Sequence, residues 1–230
     1  MESKEKMIAK KEKVIFISVP KCAASTMNII LVKHNNIEFV KRHWHYSIES
    51  LSKFLNSEGE NLADYFKFCI SRNPYDRLVS AFSYNFDRIK NSEDYHWDSY
   101  REQYLIMEQF IDPKSKIESF RKFIPSPEFE LMFNENKTPI HFRPQVDFVT
   151  IRGDLKMDYV GRFEDLDSTF KFLEKEINIK TTKVHKNRSN HEHYKNFYNK
   201  QCKDVAARLY HEDFVAFDYH KFNFNGEQGQ

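Results

Sequence analysis

Two stretches of this 230-residue chain carry side chains suited to holding anions. In Val19-Pro20-Lys21-Cys22-Ala23-Ala24-Ser25-Thr26, a β-branched run stops at a proline, a lysine follows, and small residues lead into a helical pattern. Amides at a helix start point outward and the helix dipole favours negative charge there, so the backbone of Ala23 to Thr26 would cradle a phosphate, with Lys21 adding a full cation. In the second stretch, Arg72 stands just before Asn73-Pro74, and Ser80 lies two turns along the helix these announce. A guanidinium and a hydroxyl there would hold another phosphate. Each residue has a plainer reading when taken alone: Lys21 solvated, Ser80 a neutral residue on a helix surface, Arg77 a structural ion-pair partner. Taken together, two anion sites call for a doubly phosphorylated nucleotide.

The elements that must position these residues are readable from periodicity. Val14 to Val19 is an apolar, β-branched run typical of a buried parallel strand, and Met27, Ile30 and Leu31 recur at helical spacing with Ser25 or Thr26 as cap. A second strand, Phe66 to Ser71, precedes a helix capped by Asn73, whose apolar stripe is Tyr75, Leu78, Val79, Phe82 and Phe86. A third strand, Asp158 to Arg162, precedes a helix with Leu166, Phe170, Leu173 and Ile177 on its inner face. Alternating strands and helices imply an α/β fold: a single P-loop-like domain with a central, mainly parallel sheet flanked by helices. Residues 1–13 read as a charged, frayed lead-in and 14–230 as the domain. Between 85 and 139, charges, aromatics and four prolines produce weak periodicity, as expected of a helical, aromatic-rich insertion beside the acceptor. Its tyrosines and phenylalanines read chiefly as core.

Composition excludes several classes. Five glycines, none spaced for GxGxxG or GxxxxGK[ST], remove the familiar dinucleotide and ATP loops. A net charge of +2 argues against coating of nucleic acid, while leaving room for a local basic pocket. Three scattered cysteines, Cys22, Cys69 and Cys202, fit free thiols in a reducing compartment. No early apolar run approaches a membrane span of about 20 residues. The expected location is cytoplasmic, the alternative being a catalytic domain excised from a luminal enzyme. His191-x-His193, with His185 and Cys202 nearby, is read as solvated, so no metal is expected. Glu164 is read as structural or capping.

Residues 19–26 resemble the 5′-phosphosulfate loop of sulfotransferases that use 3′-phosphoadenosine 5′-phosphosulfate (PAPS). Arg72-Asn73-Pro74-Tyr75-Asp76-Arg77-Leu78-Val79-Ser80 is similar to the RxPxxRxxS pattern of the carbohydrate-type branch, family 2, which includes the uronyl 2-O-sulfotransferases. Weaker similarity runs through His141-Phe142-Arg143-Pro144-Gln145, Val160 to Glu164 and Tyr210 to Phe214, so the resemblance covers most of the chain from Val14 to about Tyr219. Cys22 and Ala24 depart from it, standing where many relatives have Thr and Gly or Ser; side-chain donors are lost and the backbone cradle is kept.

The resemblance implies sulfuryl transfer from PAPS, as co-substrate and without a required metal, to a hydroxyl of a saccharide or glycolipid. It assigns the 5′-phosphosulfate to Lys21, Cys22, Ala23, Ala24, Ser25 and Thr26, and the 3′-phosphate to Arg72 and Ser80. Lys21 would also stabilise the leaving group at the bridging oxygen. His43-Trp44-His45 resembles the His-x-His of the uronyl enzymes, which makes His45, in preference to His43, the general base; its ordinary pKa of about 6.5 suits neutral conditions. Lys186 and Arg188 correspond in position to a basic loop that closes over the nucleotide in relatives, the plainer reading being a solvated basic loop. Two other readings stay open: a catalytically silent nucleotide- or glycan-binding module of this fold, and an ATP-dependent small-molecule kinase.

Overall fold

A computed structural model of the protein describes residues 8–38, 45–91, 101–134, 138–181 and 192–219. In chain order the elements are β1 (Ile8–Ala9), β2 (Val14–Ile17), α1 (Ala24–Asn28) with a π-helical continuation Ile29–His34, α2 (Ile48–Ser57), β3 (Phe66–Ser71), α3 (Pro74–Lys90), α4 (Arg101–Glu108), α5 (Lys116–Phe123), α6 (Pro127–Asn134), α7 (Val146–Val149), β4 (Thr150–Ile151), β5 (Asp154–Leu155), β6 (Tyr159–Arg162), α8 (Leu166–Glu176), α9 (Lys200–Leu209) and α10 (His211–Ala216). They divide into two compact units, Met1–Arg72 with Gln145–Arg188, and Asn73–Pro144 with Ser189–Gln230. Among the described residues, no helix is long and apolar enough to cross a membrane.

The first unit is the mixed α/β layer that the sequence implies. Its four-stranded sheet has the order β1-β2-β3-β6, with β2, β3 and β6 parallel and β1 antiparallel at the edge. All four residues of β2 are buried, as expected of a strand covered on both faces. Because Val14 pairs with Phe66 and Phe68 with Tyr159, the C-terminal ends of all three parallel strands reach the same edge of the sheet. Within β6, Gly161 lies so close to Thr169 of α8 that an added Cβ would meet the threonine Cγ2 at 2.5 Å. The small two-stranded β4-β5 ribbon stands apart from this sheet.

Two local readings are corrected and a third is narrowed. The lead-in contains a strand, since Ile8 and Ala9 are fully buried and pair with Ile15 and Val14. The charges around this apolar pair hide it from any periodicity test. The helix after β2 is capped by Ala23, with no side-chain cap bond, and Ser25 and Thr26 lie inside it. The cap of α8 is Asp165, whose carboxylate accepts from the Ser168 amide at 3.1 Å, so of the two readings of Glu164, structural or capping, the capping one does not apply to this helix.

The second unit is helical. Asn73 caps α3 through the Tyr75 amide and Pro74 occupies its first turn, as read from sequence. The buried face of α3 presents Leu78, Val79, Phe82 and Phe86. Phe82 packs edge-on to Phe120 (5.3 Å between centroids), and Phe123 packs on Phe129 (5.0 Å), so aromatic rings from α3, α5 and α6 form this core. Burying each such ring contributes about 2 to 3 kcal/mol, with edge-to-face geometry adding to it.

Candidate functional site

The first unit brings several of the sequence-predicted residues to one edge of its sheet. After Ile17 the chain leaves β2 through a tight turn in which the Val19 amide donates to the Ile17 carbonyl (3.0 Å), and the Cys22 amide then donates to the Val19 carbonyl (3.2 Å). Lys21 and Ala23 both take left-handed backbone conformations, with φ of 67° and 59°. Each such conformation costs a non-glycine residue about 1 kcal/mol. Left-handed residues of this kind also turn successive amides toward one side, the geometry of an anion-binding nest. The first helical bond of α1 runs from the Met27 amide to the Ala23 carbonyl, which leaves the amides of Ala24, Ser25 and Thr26 without acceptors inside the helix.

Lys21 is half-buried. Burial, and secondarily the Arg72 charge, bring its pKa from 10.5 down to about 8, with the Cys22 thiol acting in the opposite direction. Burial beside a second cation disfavours its charged form, an effect that an arriving anion would oppose.

Arg72 extends from the end of β3 and is 5% exposed. Its guanidinium donates to the Lys21 carbonyl (3.0 Å) and lies over the Phe163 ring, 4.1 Å from its centroid. Its backbone is held on both sides by Gln145: the Arg72 amide donates to Gln145 Oε1 and Gln145 Nε2 donates to the Arg72 carbonyl, each at 2.9 Å. Gln145 Oε1 also receives the Cys22 thiol, at 3.3 Å.

His45 is half-buried just before α2. Its Nδ1 lies 2.6 Å from the carbonyl of Ser18, at the end of β2. A carbonyl only accepts, so Nδ1 carries the proton in the neutral ring and Nε2 is the basic nitrogen. The ring meets Phe148 of α7 edge-on, at 6.3 Å between centroids.

Lys21, Cys22, Ala23, Ala24, Ser25, Thr26, Arg72 and His45 are therefore assembled within one unit, around the ends of β2 and β3. Ser80 lies on α3 of the second unit and is 4% exposed, so it is not the helix-surface residue of the plainer reading. His43, Lys186 and Arg188 lie outside the described residues. Arg77 is structural, as its plainer reading had it: fully buried in the second unit, it donates to the carbonyls of His141 and Arg143 and lies 3.9 Å from the buried Asp213. His193 caps the turn Tyr194–Phe197, its Nδ1 accepting from the Lys195 amide. Cys22, Cys69 and Cys202 are free and buried; burial raises the Cys202 thiol to about 11 and the Cys69 thiol further still.

Sequence reasoning missed Ser18, Gln145 and Phe148. The signal for Gln145 was present, as a lone amide within the apolar series Phe142, Val146, Phe148 and Val149.

Comparison with known proteins agrees with this geometry. The model of the sulfotransferase family matches residues 4–220. The chain belongs to that family, and is an enzyme of the class that moves a sulfuryl group from a sulfonate donor such as PAPS. It is similar to carbohydrate sulfotransferase 10 of Xenopus laevis, 24% identical over 252 residues that cover 94% of this chain and 68% of the relative. The Homo sapiens protein of the same name is 25% identical, covering 94% and 67%. No solved structure matches the chain.

Proposed function

We propose that the protein transfers the sulfuryl group of PAPS to a hydroxyl of a carbohydrate-type acceptor by in-line displacement. The observation that carries this reading is the junction of Lys21 and Arg72 at the carboxyl ends of two parallel strands, the position where α/β sheets hold nucleotides. The left-handed loop and the first-turn amides of α1 receive the 5′-phosphosulfate, Lys21 neutralises charge on the bridging oxygen, and Arg72 takes the 3′-phosphate that separates PAPS from ATP. His45 Nε2 removes the acceptor hydroxyl proton as that oxygen attacks sulfur; the bond from sulfur to the bridging oxygen breaks and adenosine 3′,5′-bisphosphate leaves. The Ser18 carbonyl supports this role by fixing the tautomer. The acceptor class is carried over from the named relatives, and the three free thiols support a reducing, cytoplasmic location.

Transfer of labelled sulfate from PAPS to a panel of saccharides, glycolipids and tyrosyl peptides tests the reading. The expected result is label on a saccharide or glycolipid, abolished in His45→Ala while nucleotide binding persists. Label on the peptide alone would refute the acceptor class, and wild-type turnover in His45→Ala would refute the base.

A further inference from the structure

The sequence motifs place Lys21 and Arg72 in the donor site but leave open what holds two separate loops in register. Within the loop, Ala23 caps α1 without a side-chain bond, and Lys21 and Ala23 hold left-handed backbone conformations. Arg72 links the loops through the Lys21 carbonyl, and a second side chain, Gln145, touches both. Gln145 is fully buried, and its carboxamide is used on both edges. Toward Arg72 it makes the paired N–H···O contacts that a neighbouring strand would make, extending the sheet's pairing one residue past Ser71. Toward the phosphate loop its oxygen takes the Cys22 thiol, and the neighbouring Lys21 carbonyl in turn accepts from Arg72. The same short segment reaches the base, because Phe148 in α7 packs against His45.

We infer that Gln145 is a positioning residue for the donor site: it acts through Arg72 and Cys22, holding the two phosphate loops at the separation of the 5′- and 3′-phosphates. This rests on the PAPS reading above. An amide is suited to the task because it donates and accepts at once. A carboxylate of the same shape would face the Arg72 carbonyl with a second acceptor, and an alkyl group would leave the Arg72 amide and carbonyl without these partners in a buried setting.

Gln145→Leu and the isosteric Gln145→Glu test this with three readouts. The first is the rate at which Cys22 is alkylated in the absence of nucleotide, followed by mass spectrometry with Cys69 and Cys202 as internal references. Both variants should expose Cys22 selectively, a result that does not depend on what the protein binds. The second is affinity for adenosine 3′,5′-bisphosphate relative to AMP, where the preference for the bisphosphate should fall by about tenfold, equivalent to ~1.4 kcal/mol. The third is turnover, where KM for PAPS should rise more than kcat falls. If the wild type binds no bisphosphate, the PAPS reading fails while the Cys22 readout still decides whether Gln145 braces the loops. Unchanged Cys22 reactivity, or an unchanged bisphosphate preference in a wild type that shows one, would overturn the inference. Failure of both variants to fold, judged by circular dichroism, would assign Gln145 to the fold and overturn it equally.

Discussion

Replacing Lys21 by Met should make the protein more stable and unable to hold its nucleotide. Methionine keeps the length and apolar stem of the lysine and removes the charge. In the folded protein burial and Arg72 bring the Lys21 pKa from 10.5 to about 8. A lysine whose pKa is lower folded than unfolded binds fewer protons in the native state between those values, so stability rises with pH from about 8 to 10.5, and the full deficit is present below about 8. At ~1.4 kcal/mol per pH unit the gap corresponds to about 3 kcal/mol, reduced to about 2 kcal/mol by the part of the side chain that meets solvent. For a chain of this size that is an increase in Tm of about 4 to 8 °C at pH 7. The assay is thermal unfolding of wild type and Lys21→Met at pH 7 and pH 10, with and without adenosine 3′,5′-bisphosphate. Without nucleotide the variant should melt higher at pH 7, and its advantage should shrink by pH 10, where the wild-type lysine is largely neutral in the fold. With nucleotide only the wild type should gain. A variant that melts lower than wild type at pH 7, or an advantage independent of pH, would refute the burial argument.

Other consequences follow from particular contacts. Gly161→Ala drives a methyl group into Thr169, whose hydroxyl takes the Arg162 amide, and should cost about 1 to 3 kcal/mol in urea unfolding; adding Thr169→Ala should recover part of it. Arg77→Met leaves the buried Asp213 without its cationic neighbour and should cost about 3 to 5 kcal/mol, with Asp213→Asn in the same chain restoring some stability. Ala23→Gly relieves a left-handed residue and should raise stability by about 0.5 to 1 kcal/mol in the same assay, a shift in the opposite direction to that expected for glycine at an ordinary helix position.

The parts of the fold that were legible in the sequence are those whose signal is local. The runs at Val14–Ile17 and Phe66–Ser71 are buried strands, and Asn73-Pro74 starts a helix, because burial on both faces and capping chemistry each leave a compositional mark within a few residues. The edge strand Ile8–Ala9 left no such mark, being two residues long within a charged stretch. Helix capping after β2 was misread because the loop uses backbone conformation at Lys21 and Ala23 where hydroxyl caps were expected at Ser25 or Thr26. Lys21, Arg72 and His45 were found as types; the tautomer of His45 and the bracing of Arg72 depend on Ser18 and Gln145, which are distant in sequence and become neighbours only through the parallel register. The scarcity of glycine is resolved by the same loop, in which Lys21 and Ala23 accept backbone angles that glycine would adopt without strain.

On the proposed reading, this loop and Arg72 form a site for a nucleotide carrying both a 5′- and a 3′-phosphate. Isothermal titration of the intact protein with adenosine 3′,5′-bisphosphate and with AMP tests it most directly. Saturable binding of the bisphosphate is expected, with AMP weaker by tenfold or more, a difference of at least ~1.4 kcal/mol. No binding of the bisphosphate, or equal affinity for both, would contradict it.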